Sequence, residues 1–346
     1  MSFTKSLLSA TAIVSASFAF AGAAAAGSHS DVCATPSAMG NIGSFEGEVV
    51  TMMGSMQGKD EENLLAMASC FEKATGAQVK YSGSQDFAAL IVADLRSNNA
   101  PNIAIFPQPG LAGDMAADGH LTPLGAEAAA WMAENYGAGQ SWVDLGTYAD
   151  PDGNDQFYGF AFKQDLKSLV WYSPEQFEDN GYDIPATMED LIALSDQMVA
   201  DGNTPWCIGV ESGNATGWTA TDWMEDIMLR TTSPENYDRW VSNDLPFNSA
   251  EVINAMDVYG SFSRNEDYVA GGASSVATTF FGAAPKGLFS SPASCMMHRQ
   301  ASFIPAFFPK KGEEVANGEA DFFYFPPFAS LDLGNPVLGA GTLYTM

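Results

Sequence analysis

The chain has 346 residues, 46% of them hydrophobic, with 42 Asp and Glu against 14 Lys and Arg and a formal net charge of −28. This balance repels nucleic acid and anionic membrane surfaces, and the acids are spread along the chain instead of forming a tail. They read as a solvated acidic surface. Calcium binding is the alternative, but Asp150-Pro151-Asp152-Gly153-Asn154-Asp155 lacks the downstream bidentate Glu of a helix-loop-helix calcium loop.

The N-terminus carries a lone positive charge at Lys5, an apolar run from Leu7 to Phe20, and Ala24-Ala25-Ala26 ahead of Gly27. That pattern predicts a signal peptide over 1–26, cleaved near Ala26, and a periplasmic address. The first cysteine comes well after the cleavage site, so no lipid anchor is expected. No later stretch approaches the roughly 20 consecutive apolar residues of a membrane span. The mature chain is long enough for two lobes, since single cores stop growing near about 250 to 300 residues. Cys33, Cys70, Cys207 and Cys295 contain no C-x-x-C spacing, which argues against zinc and redox chemistry and permits disulfides in an oxidising compartment.

Val49-Val50-Thr51-Met52-Met53 reads as a buried strand ending at Gly54-Ser55-Met56-Gln57-Gly58, after which Asp60 is expected to cap a helix. Leu64, Met67, Ala68 and Phe71 share one face of it, and Gly76 ends it. Ala77, Val79 and Tyr81 alternate as a strand. A second helix from about Asp86 is predicted to turn Phe87, Leu90, Ile91 and Leu95 inward, and Pro101 breaks into a strand over Ile103 to Phe106. This β-α-β repeat predicts an α/β fold with a parallel sheet and right-handed crossovers. Its carboxyl edge presents three loops, in which Gln57, Gln85, Asp86 and Gln108 offer hydrogen-bonding groups suited to hydroxyls.

From Phe157 a strand-like entry leads to an apolar run ending in Trp171-Tyr172. An amphipathic helix is predicted over Pro185 to Gly202, with Met188, Leu191, Ile192, Leu194, Ser195 and Met198 inward. Pro205 to Val210 reads as a strand entering the glycine-rich loop before Trp218 and Trp223. Aromatic faces cover the C–H patches of pyranose rings and carboxylates bind their hydroxyls, which marks Trp218, Glu211 and Asp222 as site candidates. Gln300 is a further candidate for hydroxyl contact. His298 is expected to be a hydrogen-bonding or structural histidine and not a metal ligand.

In order, F-E-K-A-T-G-x-x-V-x-Y, D-F-A-A-L, P-N-I-A-I-F-P-Q-P-G, D-G-H-L-T-P-L, L-V-W-Y-S and T-P-W-C-I-G-V-E-S-G resemble the family 1 extracellular solute-binding proteins of ABC sugar transporters. The likeness runs from about Ser44 to Met346 and is greatest to the α-glucoside-binding branch. It implies a type 2 periplasmic binding fold, with lobe one over 27–160, lobe two over 161–334 and a return strand over 335–346. Crossing strands act as the hinge. It further implies an α-glucoside ligand, ABC permease subunits as partners, a monomer, no cofactor and no catalysis. By position in the crossing segment, Asp165 becomes a candidate for meeting sugar hydroxyls. The two-lobe architecture favours disulfides within lobes, Cys33 with Cys70 and Cys207 with Cys295. Family members continue past the return strand into a helical segment, so the chain reads as truncated, with Phe106 and Leu338 expected to lie open to water.

Two rival readings remain. An exported glycosidase would use carboxylates flanking the scissile bond, roughly 5 to 10 Å apart. A binding protein for a polyamine, an amino acid or iron would share the fold. No G-x-S-x-G elbow, H-E-x-x-H helix or phosphate-cradling loop occurs.

Overall fold

A computed structural model describes residues 42–346; the signal-peptide region and Cys33, with its expected link to Cys70, lie outside the described residues. The chain divides into two compact units, one running to Gln164 and including Gly341–Met346, the other spanning Asp165–Ala340. The chain passes between them within two strands.

In the first unit, β1 (Val49–Gly54) leads through α1 (Lys59–Thr75), β2 (Gln78–Gly83), α2 (Phe87–Arg96) and β3 (Ile103–Phe106) to α3 (Pro109–Ala117). β1 pairs in parallel with both β2 and β3. Asp60, Glu61 and Glu62 in the first turn of α1 and Lys73 in its last complement the helix dipole. Gly76, at φ 78°, ends the helix with its N–H on the Glu72 carbonyl. The helix starts one residue before the expected cap, because Gly58 makes the turn into it at φ 60°. Asp60 therefore sits inside the first turn, where it pairs with Lys163 at 3.1 Å.

Phe87, Ile91 and Leu95 of α2 are buried, but Leu90 is 42% exposed. One residue before Ile91, it points about 100° round the helix from the centre of the buried face. Phe106 is fully buried, edge-on to Phe87 at 5.2 Å, and Leu338 is 5% exposed, so neither is open to water as the sequence suggested. Beyond α3 come α4 (Ala126–Asn135), α5 (Gly139–Leu145), a hairpin of β4 (Thr147–Ala149) and β5 (Asp155–Phe157), and β6 (Phe160–Leu166). The acidic run between β4 and β5 is turn chemistry: Asp150 Oδ1 accepts from the backbone of Asp152 and Asn154 at 2.9 and 2.8 Å.

The second unit holds β7 (Leu169–Tyr172), α6 (Pro174–Asn180), α7 (Met188–Ala200), α8 (Trp218–Thr231), α9 (Pro234–Val241), α10 (Ala250–Ser263), β8 (Met297–Arg299), α11 (Glu313–Ala316) and β9 (Asp321–Tyr324). β7 is the middle strand of an antiparallel sheet between β8 and β9. Thr187 starts α7 by accepting the Asp190 N–H at 3.1 Å, which places the first helical residue at Met188. Met188, Leu191, Leu194, Ser195 and Met198 are buried on its inner face. Their core centres on Trp206, whose indole N–H donates to Ser195 Oγ at 3.1 Å and whose ring meets Trp223 at 5.4 Å.

Pro205 to Val210 is not a strand. Trp206 and Glu211 make isolated bridges only, and the backbone N–H groups of Trp206, Cys207 and Val210 go to carbonyls of Tyr268, Met297 and Val276. Satisfying its groups from several irregular partners, the segment has no single ladder to join. Cys207 and Cys295 are joined by a disulfide across 88 residues.

β10 (Gly339–Thr345) then pairs antiparallel to β3, completing the first unit's sheet in the order β2-β1-β3-β10-β6.

Candidate ligand-binding site

In the first unit the parallel register puts the loops after β1, β2 and β3 at one sheet edge. Gln57 Nε2 donates to the Gly83 carbonyl at 3.3 Å, and Ser84 N–H donates to the Gly54 carbonyl at 2.9 Å. The Tyr81 hydroxyl reaches the Met56 carbonyl at 2.9 Å. The first two loops are thus tied together. They approach so closely that a Cβ on Gly83 would stand 2.3 Å from the Met56 carbonyl oxygen, which only glycine avoids. Gln57, Gln85 and Asp86 are exposed and Gln108 is half-buried. Asp86 and Gln108 each precede a helix, α2 and α3, yet neither side chain caps it.

In the second unit three of the expected residues, Asp165, Trp218 and Asp222, are connected in one patch. Gly217, at φ 106°, turns the glycine-rich loop into α8, and its N–H returns to the Val210 carbonyl at 2.8 Å. Trp218 is therefore the first residue of α8, half-buried, with Phe281 edge-on at 5.0 Å and Phe303 at 5.9 Å. One turn on, Asp222 is 5% exposed and both its carboxylate oxygens accept from the Lys167 ammonium at 2.7 Å. The same ammonium lies 5.4 Å from the centre of a Trp218 ring. Asp165, two residues before Lys167, accepts from the Ser302 hydroxyl at 3.4 Å, and the Leu166 N–H donates to that hydroxyl at 3.1 Å. Asp165, Trp218 and Asp222 are thereby linked through Ser302-Phe303 and Lys167.

Glu211 and Gln300 are turned toward their own backbone. Glu211 Oε1 accepts the Gly213 N–H at 2.7 Å, bracing the loop before Trp218. Gln300 is 2% exposed, and its side-chain oxygen accepts from Ala301 N–H at 2.8 Å. Trp223 is buried at 3%, in the core between Trp206 and Phe262. His298 Nδ1 meets the Cys207 carbonyl at 2.7 Å, and burial lowers its pKa to about 4.

Lys167 and Phe303 join the patch without having been singled out in the sequence. Lys167 has its partner 55 residues away, and Phe303 meets Trp218 from 85 positions along the chain. Behind the patch, Glu225 has a carboxyl pKa raised to about 6 by burial and by Asp222, with Lys167 and the Tyr237 hydroxyl pulling the other way. Deeper still, Asp226 accepts from Ser168 Oγ at 2.7 Å and from Arg299 at 2.6 Å, and it ion-pairs Arg230. Arg230 in turn holds the carbonyls of Phe325, Pro326 and Pro336. Among the described residues no cluster of three His, Cys, Asp or Glu could hold a metal, and no helix is long and apolar enough to cross a membrane.

The family model for bacterial extracellular solute-binding proteins matches residues 54–340. The chain is 53% identical over 300 residues to the alpha-glucosides-binding periplasmic protein AglE of Rhizobium meliloti, covering 86% of this chain and 65% of that protein. It is 44% identical over 298 residues to the osmoprotective compounds-binding protein GgtB of Synechocystis, covering 86% and 68%. The chain thus spans about two thirds of the length of these relatives. Among solved structures, the bacterial solute receptor AcbH, described as having an exclusive preference for β-D-galactopyranose, superposes with a TM-score of 0.68 at 18% identity, covering 86% of this chain and 71% of that one. At that identity the likeness speaks to the fold.

Proposed function

Because the chain belongs to the bacterial extracellular solute-binding protein family, we propose that it is the substrate-binding component of an ABC transporter for α-glucosides. In this reading it holds sucrose-, maltose- or trehalose-type sugars without converting them and hands them, as a periplasmic monomer, to a membrane permease. The observation that carries the reading is the patch of the second unit, in which an aromatic face, Trp218, stands beside the Asp222–Lys167 pair and near Asp165. An aromatic ring favours the C–H face of a pyranose, and charged side chains favour the hydroxyls at its edge. Taken by itself, the first unit offers Gln57, Gln85, Asp86 and Gln108 as its candidates for hydroxyl contact, and Glu211 and Gln300 brace the second-unit loops that carry Trp218 and Phe303.

The test is a thermal-shift panel on the full chain with di- and trisaccharides, polyols, spermidine and amino acids. Ligand that binds only the folded state stabilises it by about 2.7 kcal/mol at 100 times its dissociation constant. The 44% identity to a binding protein for osmoprotective compounds is the reason to include polyols. A shift with α-glucosides supports the reading. A shift with spermidine or an amino acid alone sinks it, and release of monosaccharide from the sugar would point to the glycosidase.

A further inference from the structure

We propose that Lys167 is a ligand-contacting, specificity-determining residue, its ammonium donating a hydrogen bond to one ring hydroxyl of an uncharged sugar stacked on Trp218. This rests on the sugar-binding reading above and adds a residue to it. Asp222 takes two of the three ammonium donors at 2.7 Å each, and among the described residues the third has no hydrogen-bond partner. The Lys167 side chain is only 14% exposed and that of Asp222 8%, so the remaining donor sits in a partly desolvated place, where a missing partner matters most.

The ammonium lies over Trp218, 5.4 Å from the ring centre, so a pyranose packed against the rest of that indole has the ammonium at its edge. An aliphatic stem held at one end by a doubly accepting carboxylate has little freedom left, so the donor is oriented before ligand arrives. An ammonium donates and cannot accept. It therefore selects a ring that presents a hydroxyl oxygen at that place, and it discriminates against a deoxy ring there, because a buried charged donor would go unpaired. Asp222 acts through Lys167 and is a positioning residue.

The experiment is calorimetric titration of the full chain with trehalose, sucrose and maltose, then with the monodeoxy analogues of whichever binds best. Lys167→Met is expected to lower affinity for the parent sugar by about 10- to 100-fold. One deoxy analogue should lose a similar factor with the unaltered protein and lose nothing further with the variant. A merely structural lysine would instead weaken parent and all analogues alike. That outcome, or unchanged affinity for the parent sugar, overturns the proposal. If Lys167→Met does not fold, Lys167→Gln is put through the same cycle. If the unaltered chain binds none of the three sugars, the functional reading itself fails; if it binds and the cycle shows no coupling, only the role of Lys167 does.

Discussion

Replacing Asp226 by alanine removes the carboxylate that lies between two buried guanidinium groups. Asp226 and Arg230 are fully buried and Arg299 is 3% exposed. Arg230 keeps carbonyl partners at Phe325, Pro326 and Pro336 after the change, so its charge stays hydrogen-bonded. Arg299 does not fare as well. Its Nη2 loses the 2.6 Å contact, its Nε already has no partner, and what remains is a position over the Trp223 and Phe325 rings at 5.6 and 5.8 Å. Breaking a buried pair by removing one partner costs about 3 to 5 kcal/mol. With Arg230 still satisfied, the lower end applies. For a domain of this size each kcal/mol moves the melting temperature by about 2 to 4 °C, so Asp226→Ala should melt roughly 10 °C lower by calorimetry. Asp226→Leu combined with Arg299→Met should recover much of the loss, since an apolar replacement leaves no stranded charge. A drop of less than about 2 °C for Asp226→Ala, or no recovery in the double variant, would refute the view that this carboxylate balances the two arginines.

Three further outcomes are expected. His298 is held neutral with a pKa of about 4 against an ordinary 6.5, so the unfolded chain takes up its proton first as pH falls; stability from this group is complete above pH 6.5 and is lost progressively toward pH 4. Glu225, raised from 4.5 to about 6, works in the opposite sense between those values, and urea unfolding at stepped pH should show the acid loss flattened in His298→Gln and steepened in Glu225→Gln. Reducing the Cys207–Cys295 bond, or changing both cysteines to alanine, should remove about 2 to 4 kcal/mol of stability in non-reducing melts, and an identical midpoint with and without reductant would contradict that. Trp218→Ala and Asp165→Asn should each weaken sugar binding by about 1 to 3 kcal/mol in calorimetry with the ligand-free fold intact, and unchanged affinity in both would return them to scaffold.

The first unit was readable because its elements are local. Short apolar strands, Gly76 as a terminator and the burial of Phe87, Ile91 and Leu95 are all decided within a few residues, and so the β-α-β order appears in the string. The second unit yields less. Pro205 to Val210 has the composition of a strand, but its partners Tyr268, Val276 and Met297 are distant in sequence and do not form one ladder. The candidate site shows the same divide. Trp218 stands out beside a glycine-rich loop, whereas Lys167 acquires meaning only from Asp222, and Phe303 only from the ring it meets. Gln300 is a candidate by residue type, but a glutamine whose own following N–H lies within reach can satisfy itself locally.

The pairing of β10 with β3, which joins Thr345 to Ala104 across 241 residues, constrains the order in which the molecule can fold. Closing so long a loop from a disordered chain carries an entropic penalty of about 5 kcal/mol on the logarithmic scale. Once the second unit has formed, its two exits are held together: Lys167 N–H donates to the Leu338 carbonyl at 2.8 Å and Leu338 N–H to Ser168 Oγ at 2.8 Å. For β10 the effective loop then shrinks from hundreds of residues to a short tether. The contiguous second unit should therefore acquire protected amides before the first unit's sheet is complete, with the β3–β10 amides among the last to slow in pulsed hydrogen exchange. Weakening the clasp at Ser168 and Leu338 would delay refolding of a sheet that neither residue belongs to.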